Sequence, residues 1–263
     1  MNDLILSFIL GLIQGLTEFL PISSSAHLLF PSLIFGSNDL GLAFDISAHA
    51  GTLFAVMYYF KDEIKSMTKS LFQSNSLLKE DKNLAITLII ATIPIVLVGF
   101  FGSELVNQNR TNISSIAIMN LVFAGFLLIA YLYSSASKKL IELTVVGALF
   151  IGLFQVFALL PGASRSGTAM TAALFIGLNL KDASKFAFLL SIPTILGALV
   201  FLIIELSTSS YSINFLSLFI GFFTSCFVAF LTIKYFLIFV NKIGMYPFVI
   251  YRIILGIMLL ILV

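Results

Sequence analysis

The chain has 263 residues, 60% of them hydrophobic and only 10% charged, with a mean hydropathy of +1.12. Soluble domains hold roughly 45–50% apolar residues, so this composition excludes an ordinary water-soluble fold and indicates an integral membrane protein. Lys and Arg number 14 against 12 Asp and Glu, a net charge of +2. That is too small for a nucleic-acid footprint, so charge position carries more information than charge sum.

The N-terminus, Met1-Asn2-Asp3, places an acid where a secretory signal carries Lys or Arg, and no small-residue cleavage site follows, so it reads as uncleaved. The first hydrophobic block, Leu4 to Phe35, is longer than one span. It is broken by Q-G-L-T-E-F-L-P-I-S-S-S-A-H from Gln14 to His27. Spans of about 20 apolar residues are then predicted over Leu42 to Phe60, Leu84 to Gly102 and Ile113 to Tyr133. A second overlong block, Leu143 to Leu178, is broken by P-G-A-S-R-S-G-T from Pro161 to Thr168. Three more spans follow, over Phe186 to Ile204, Ile213 to Ile233 and Tyr246 to Val263. The single Cys226 permits no internal disulfide. Trp is absent, which leaves Tyr58, Tyr59, Tyr131, Tyr133 and Tyr211 to form any aromatic belt.

Basic residues in short loops stay on the cytoplasmic side. The joints Lys61 to Lys82, Lys138–Lys139, Lys181–Lys185 and Lys234 to Lys242 are therefore placed inside. The joints from Glu104 to Asn112 and Glu205 to Ser212, whose one basic residue is Arg110, fall outside. With Lys139 and Lys181 on one side, the block between them crosses an even number of times, yet its length is short for two spans. It is expected to be a re-entrant hairpin over 143–178, entering from the cytoplasm, with the first block a hairpin over 4–35 entering from the other face. One hairpin plus three spans, repeated upside down, makes an all-α polytopic membrane protein with an inverted repeat, residues 1–135 against 136–263, in a single membrane domain. The segment from Gly11 to Pro21 can be laid beside that from Gly152 to Pro161 with one residue of slippage. In such architectures the ligand site lies near the midplane where interrupted helices meet.

The polar residues at the breaks suggest what that site takes. Pro21 and Pro161 each end a half-helix, and the hydroxyls of Ser23 to Ser25 and Ser164 to Thr168 suit the N-cap of the next. Arg165 adds a permanently charged fork matched to phosphate oxygens. Glu18 would repel a bare anion unless it is protonated or shares a divalent cation with the phosphate, and metal-assisted phosphoryl chemistry would account for it. Gln14, four residues earlier on the same face, offers a neutral oxygen, and His27 offers a base for Ser24 or a water, or a phosphoryl acceptor. Plainer roles compete. Ser23 and Ser25, taken singly, suit bonding back to their own backbone, and His27 suits an interfacial helix end. Glu18 and Arg165 suit a simple salt bridge. Asp45 and His49 lie four apart near the outer start of a span, within possible reach of the site, and the 28 Phe suit packing and lipid contact.

The pair of motifs resembles the signatures of the bacterial undecaprenyl-diphosphatases of the bacitracin-resistance type, written E/Q-x-x-x-E followed by P-x-S-S-x-x-H, and P-G-x-S-R-S-x-x-T. The resemblance spans essentially the whole chain. It implies an inner-membrane enzyme that hydrolyses undecaprenyl diphosphate to the monophosphate carrier for peptidoglycan synthesis, conferring bacitracin resistance, with a Mg2+ or Ca2+ ion as cofactor and the site open to the outside. By position it implies catalytic roles for Glu18, Ser24, His27 and Arg165, and metal binding at Glu18. It implies substrate contacts from Gln14, Ser25, Ser164, Arg165, Ser166 and Thr168. Two departures stand out: the first motif position is Gln14 rather than Glu, and the motif threonine falls on Ala169, with Thr168 one step early. The nucleophile (Ser24, His27 or water) stays open, as does a homo-oligomer. A polyprenyl-phosphate transporter or flippase using the same repeat is the alternative. The P-S-G-H signature of acid-phosphatase-type lipid phosphatases is absent from the sequence, and no span carries the polar stripe of a channel.

Overall fold

The computed structural model describes residues 2–37, 39–73, 78–102, 112–207 and 214–261. Twelve α-helices are seen among them. They are α1 (Asp3–Thr17), α2 (Ser24–Leu28), α3 (Phe30–Phe35), α4 (Leu42–Tyr59), α5 (Lys61–Phe72), α6 (Lys79–Phe101), α7 (Ile113–Tyr133), α8 (Val145–Gln155), α9 (Arg165–Phe175), α10 (Leu180–Ser207), α11 (Phe215–Ile243) and α12 (Tyr246–Ile261). Short 3₁₀ helices cover Leu140–Glu142 and Val156–Leu159, and among the described residues there is no strand, only an isolated bridge between Lys138 and Leu178. Four helices, α6, α7, α10 and α11, are long and apolar enough to cross a membrane, and α1, α12 and the stretch Val145–Leu159 are shorter apolar helices. The protein is thus an all-helical, polytopic membrane protein.

Both overlong blocks are broken where the prolines stand, at residues 18–23 and 160–164. Helix boundaries differ from expectation mainly in α11. The segment Lys234 to Lys242, expected as a polar joint, lies within that helix, which runs on to Ile243. No Gly or Pro falls between Lys234 and Lys242, and the intervening Tyr, Phe, Leu, Ile and Val residues sustain the helix until Gly244, at φ 69, ends it. Helix α10 starts earlier than expected, at Leu180, because the Asn179 side chain accepts the amide of Asp182 at 3.0 Å and fixes the first turn. The joint holding Arg110 and the stretch 208–213 lie outside the described residues.

Helix α1 packs on α11, α8 on α6, α4 on both α11 and α10, and α12 on α7. Without a hydrophobic drive between helices in lipid, such contacts rest on close packing of small residues. A Cβ on Gly51 of α4 would collide with Ser225 Oγ and the Phe222 carbonyl of α11, one on Gly15 would come within 2.8 Å of the Ser225 carbonyl, and one on Gly152 would strike Ala91 of α6. Hydroxyls add cross-helix bonds, Ser225 Oγ to the Ala48 carbonyl at 2.8 Å and Ser47 Oγ to that of Leu218 at 2.7 Å. Phenylalanine serves both expected purposes: Phe19, Phe60, Phe186 and Phe188 are buried in the core, whereas Phe100, Phe101, Phe219 and Phe227 face outward.

At one end of the bundle the ends of the second broken block meet. The Lys138 amide donates to the Gly177 carbonyl at 2.9 Å, and the Asn179 amide to the Lys138 carbonyl at 2.8 Å. The two ends of this block therefore lie side by side. The ion pair of Lys185 with Glu63 at 2.9 Å ties α5 to the start of α10, which brings two lysine-bearing joints together.

Candidate active site

The two turns share an uncommon backbone. Ser23 and Ser164, the residues that precede α2 and α9, both sit at φ 71, with ψ 100 and 117. A non-glycine residue there is strained, and strain of this kind persists only where its surroundings enforce it. Each turn is held by the other. Gly162 donates its amide to Ser25 Oγ at 3.2 Å, and Ser166 Oγ donates to the Leu20 carbonyl at 2.9 Å. Gly162, at φ 97, approaches Ile116 so closely that a Cβ would collide with the Ile116 carbonyl.

Arg252 of α12 completes the join. Fully buried, it donates to the Pro21 carbonyl at 3.4 Å in one turn and to the Gly162 and Ala163 carbonyls at 3.0 and 3.1 Å in the other, while Nε donates to the Asn120 carbonyl at 3.2 Å. Asn120 returns a bond from Nδ2 to the Arg252 carbonyl at 2.7 Å. The broken backbone ends, costly in lipid if unpaired, are met by one guanidinium.

Around Glu18 the structure gathers Gln14, Ser24, Arg165 and His49. Gln14 Nε2 donates to Glu18 Oε2 at 2.9 Å and Ser24 Oγ donates to the same oxygen at 3.1 Å. Arg165 Nη1 lies 3.6 Å from Glu18 Oε1, an ion pair too long for a hydrogen bond, and that buried nitrogen has no hydrogen-bond partner. Gln14 Oε1 is also buried and unpaired. The site thus keeps one donor on its arginine face and one acceptor beside its carboxylate. A buried ion pair does little for stability, because desolvation offsets its Coulomb gain. The unused hydrogen-bonding capacity is therefore the more informative feature.

The remaining expected residues fall in a second rank. His27 lies against Tyr251 rather than Ser24: Nδ1 bonds the Ser23 carbonyl and Nε2 the Tyr251 hydroxyl, both at 2.7 Å, with the two rings parallel. A carbonyl only accepts, so Nδ1 carries the proton and Nε2 accepts from Tyr251. Ser25 is exposed at the turn contact. Ser164 Oγ caps α9 by accepting the Gly167 amide at 3.1 Å and lies 3.3 Å from Ser166 Oγ. Thr168 is fully buried with its hydroxyl on the Arg165 carbonyl at 2.9 Å. A groove of about 440 Å³ between α1 and α11 includes Leu16, on the face of α1 opposite Gln14, and Leu20 of the following turn, and its walls are nearly all apolar.

Comparison with known proteins bears on this constellation. The family model described as "Bacitracin resistance protein BacA" matches residues 7–258. The chain belongs to that family. Among curated BacA relatives, an undecaprenyl-diphosphatase of Alcanivorax borkumensis is 43% identical over 256 residues, covering 97% of each chain. One of Saccharophagus degradans is 43% identical over 255 residues, 97% of this chain and 96% of the other. One of Teredinibacter turnerae is 44% identical over 261 residues, 98% of this chain and 99% of the other.

Sequence reasoning passed over Arg252, Tyr251 and Asn120. Arg252 did carry a signal, since a lone arginine inside an apolar block is functional or paired far more often than idle. Tyr251 and Asn120 carry none, because their partners lie 224 and 132 residues away.

Proposed function

We propose that the protein hydrolyses undecaprenyl diphosphate to undecaprenyl phosphate and inorganic phosphate, recycling the lipid carrier for cell-wall synthesis and thereby conferring bacitracin resistance. The observation that carries this reading is the Ser24–Glu18–Arg165 arrangement, a hydroxyl on a carboxylate facing a guanidinium with a free donor, in a family whose curated relatives bear the name undecaprenyl-diphosphatase.

In the mechanism we infer, Arg165 Nη1 receives an oxygen of the terminal phosphate, and the N-terminal end of the 11-residue α9 adds its dipole to that charge. Ser24 Oγ attacks the terminal phosphorus as its proton passes to Glu18, the acceptor to which it is already bonded. The bridging P–O bond breaks and undecaprenyl phosphate departs with the electron pair. Water then cleaves the serine phosphoester, releasing inorganic phosphate and restoring the Ser24 hydroxyl. His27 is a less direct base for Ser24, because Tyr251 occupies its free nitrogen. The residues fit a divalent ion, since Gln14 Oε1 is a buried acceptor with no partner beside the Glu18 carboxylate. Bound there, Mg2+ or Ca2+ would supply positive charge to the phosphate oxygens in the transition state. Gln14, Ser25, Ser164, Ser166 and Thr168 shape and steady the phosphate pocket.

The inverted repeat is part of the same proposal. Matching φ 71 serines, glycine-packed half-helices and a second block whose ends meet support it. The lysine pattern supports an inner-membrane protein whose site opens outward. The test is phosphate release from undecaprenyl diphosphate by the purified protein in detergent, where there is no membrane to cross. Release with Mg2+ or Ca2+ is expected; no release with either would refute hydrolysis and favour lipid transport.

A further inference from the structure

The mechanism above leaves His49 of α4 without a role, although its ring faces Glu18. Its Nδ1 lies 2.8 Å from the Asp45 carbonyl. That oxygen can only accept, so Nδ1 holds the proton and Nε2 of the neutral ring presents a lone pair. Nε2 lies 4.0 Å from Glu18 Oε2, beyond hydrogen-bond range. Glu18 is nearly sealed from solvent, its side chain only 4% exposed. The site's permanent cation, Arg165, stands on the other carboxylate oxygen, Oε1. Glu18 Oε2 accepts from Gln14 Nε2 and Ser24 Oγ, and two further acceptors stand beside it: Gln14 Oε1, unpaired on the amide that donates to it, and His49 Nε2. Acceptors grouped around a carboxylate this buried make a place where a cation is held favourably, with the half-buried His49 on its rim.

We propose that His49 is a protein ligand of the divalent cation beside Glu18, binding it through Nε2. The inference deepens the metal-assisted hydrolysis proposed above and rests on it. A separation of 4.0 Å is within the span of two ligands each about 2.3–2.6 Å from one ion. Among the described residues no group of three His, Cys, Asp and Glu could hold an ion. The protein thus supplies two strong ligands, Glu18 and His49, and phosphate oxygens complete the shell, the usual arrangement in phosphoryl-transfer sites. Carboxylate, carbonyl and phosphate oxygens suit Mn2+ as they suit Mg2+ and Ca2+, so Mn2+ serves as the probe ion for the site. The Asp45 carbonyl is the outer partner that fixes the ring's orientation.

The test uses the full chain, tag-free in detergent, with Mn2+ and methylenediphosphonate as a non-hydrolysable stand-in for the headgroup. Pulsed electron paramagnetic resonance reads nitrogen coupling to the bound ion. Wild type is expected to show imidazole coupling that disappears in His49→Ala and in His49→Gln, which keeps a polar side chain, and persists in His27→Ala. The Mn2+ affinity of both His49 variants is expected to fall about 10- to 100-fold. Absence of Mn2+ binding, binding without imidazole coupling, or coupling that survives in both His49 variants overturns the proposal. Phosphate release is measured on the same wild-type preparation. Release without imidazole coupling removes His49 as a ligand and leaves hydrolysis standing; coupling without release does the reverse.

Discussion

Replacing Arg252 by Met removes the one side chain that bonds both turns, while a similar length of apolar chain fills the space. Four donated hydrogen bonds vanish, to the carbonyls of Asn120, Pro21, Gly162 and Ala163. Interhelical side-chain bonds in membrane proteins average about 0.6 kcal/mol and reach about 1.7, so the set is worth about 2–3 kcal/mol, with a ceiling of about 7. Removing a buried charge returns part of this as avoided desolvation. A loss of about 2 kcal/mol is therefore expected, which lowers the thermal midpoint in detergent by about 4–8 °C. The effect on turnover should be larger. The freed turns carry Ser24 and Arg165, and a displacement of about 1 Å in a reacting group costs on the order of 100-fold. Arg252→Lys keeps the charge without the fork and should fall between. The assay is phosphate release from undecaprenyl diphosphate, each variant held about 10 °C below its own midpoint so that unfolding does not contribute. Turnover of Arg252→Met within about threefold of wild type would refute the reasoning that this arginine positions the site.

Three further outcomes are expected. Ser24→Ala and Glu18→Gln should each lower turnover by about 10²–10⁴-fold with the double variant little worse than either; additive losses in phosphate release would show that the two do not act as a unit. Gly162→Ala should lower the thermal midpoint, since it forces a positive φ costing about 1–2 kcal/mol and drives a methyl into the Ile116 carbonyl; an unchanged midpoint would contradict that contact. Gln155, fully buried with both amide atoms unpaired, should be neutral or stabilising as Gln155→Leu, by up to about 1–3 kcal/mol, and a lowered midpoint would mean that its amide has a partner.

Local features were legible in the sequence to a useful degree. Pro21 and Pro161 mark both breaks, because a proline cannot continue the helical bonding and the hydroxyls after it favour caps and turns. Gln14, Glu18, Ser24 and Arg165 converge as their polarity within apolar blocks implied. What spacing along one segment cannot encode is pairing between segments. His27 looked poised to serve Ser24 three residues away, yet it turns to Tyr251 on the last helix, and Ser24 turns back to Glu18. His49 was one of two candidates near the outer start of a span, and its tautomer, set by the Asp45 carbonyl, is a property of the folded helix alone. Lys234 was misread because a charged residue in an otherwise apolar run looks like a joint. The helix carries it through, since a long lysine stem can lie along lipid with its ammonium at the boundary.

The site is divided between the two turns because each leaves backbone groups that only the rest of the fold satisfies. The Pro21 carbonyl finds a donor on Arg252 and the Gly162 amide an acceptor on Ser25, while the Leu20 carbonyl, which accepts the Ile22 amide at 2.8 Å, takes a second donor from Ser166. In lipid such groups are costly when left open, so each turn is stabilised by the other. The same dependence brings charge together. Glu18 from the first turn and Arg165 from the second share a 3.6 Å ion pair that neither segment could bury alone. A phosphate entering there finds Arg165 Nη1 already desolvated, without a hydrogen bond and held in place by the contacts that close the fold. On the proposed mechanism the strain at Ser23 and Ser164 and the enclosure of Arg252 preorganise the site for an anion. They remain because the fold cannot close without them.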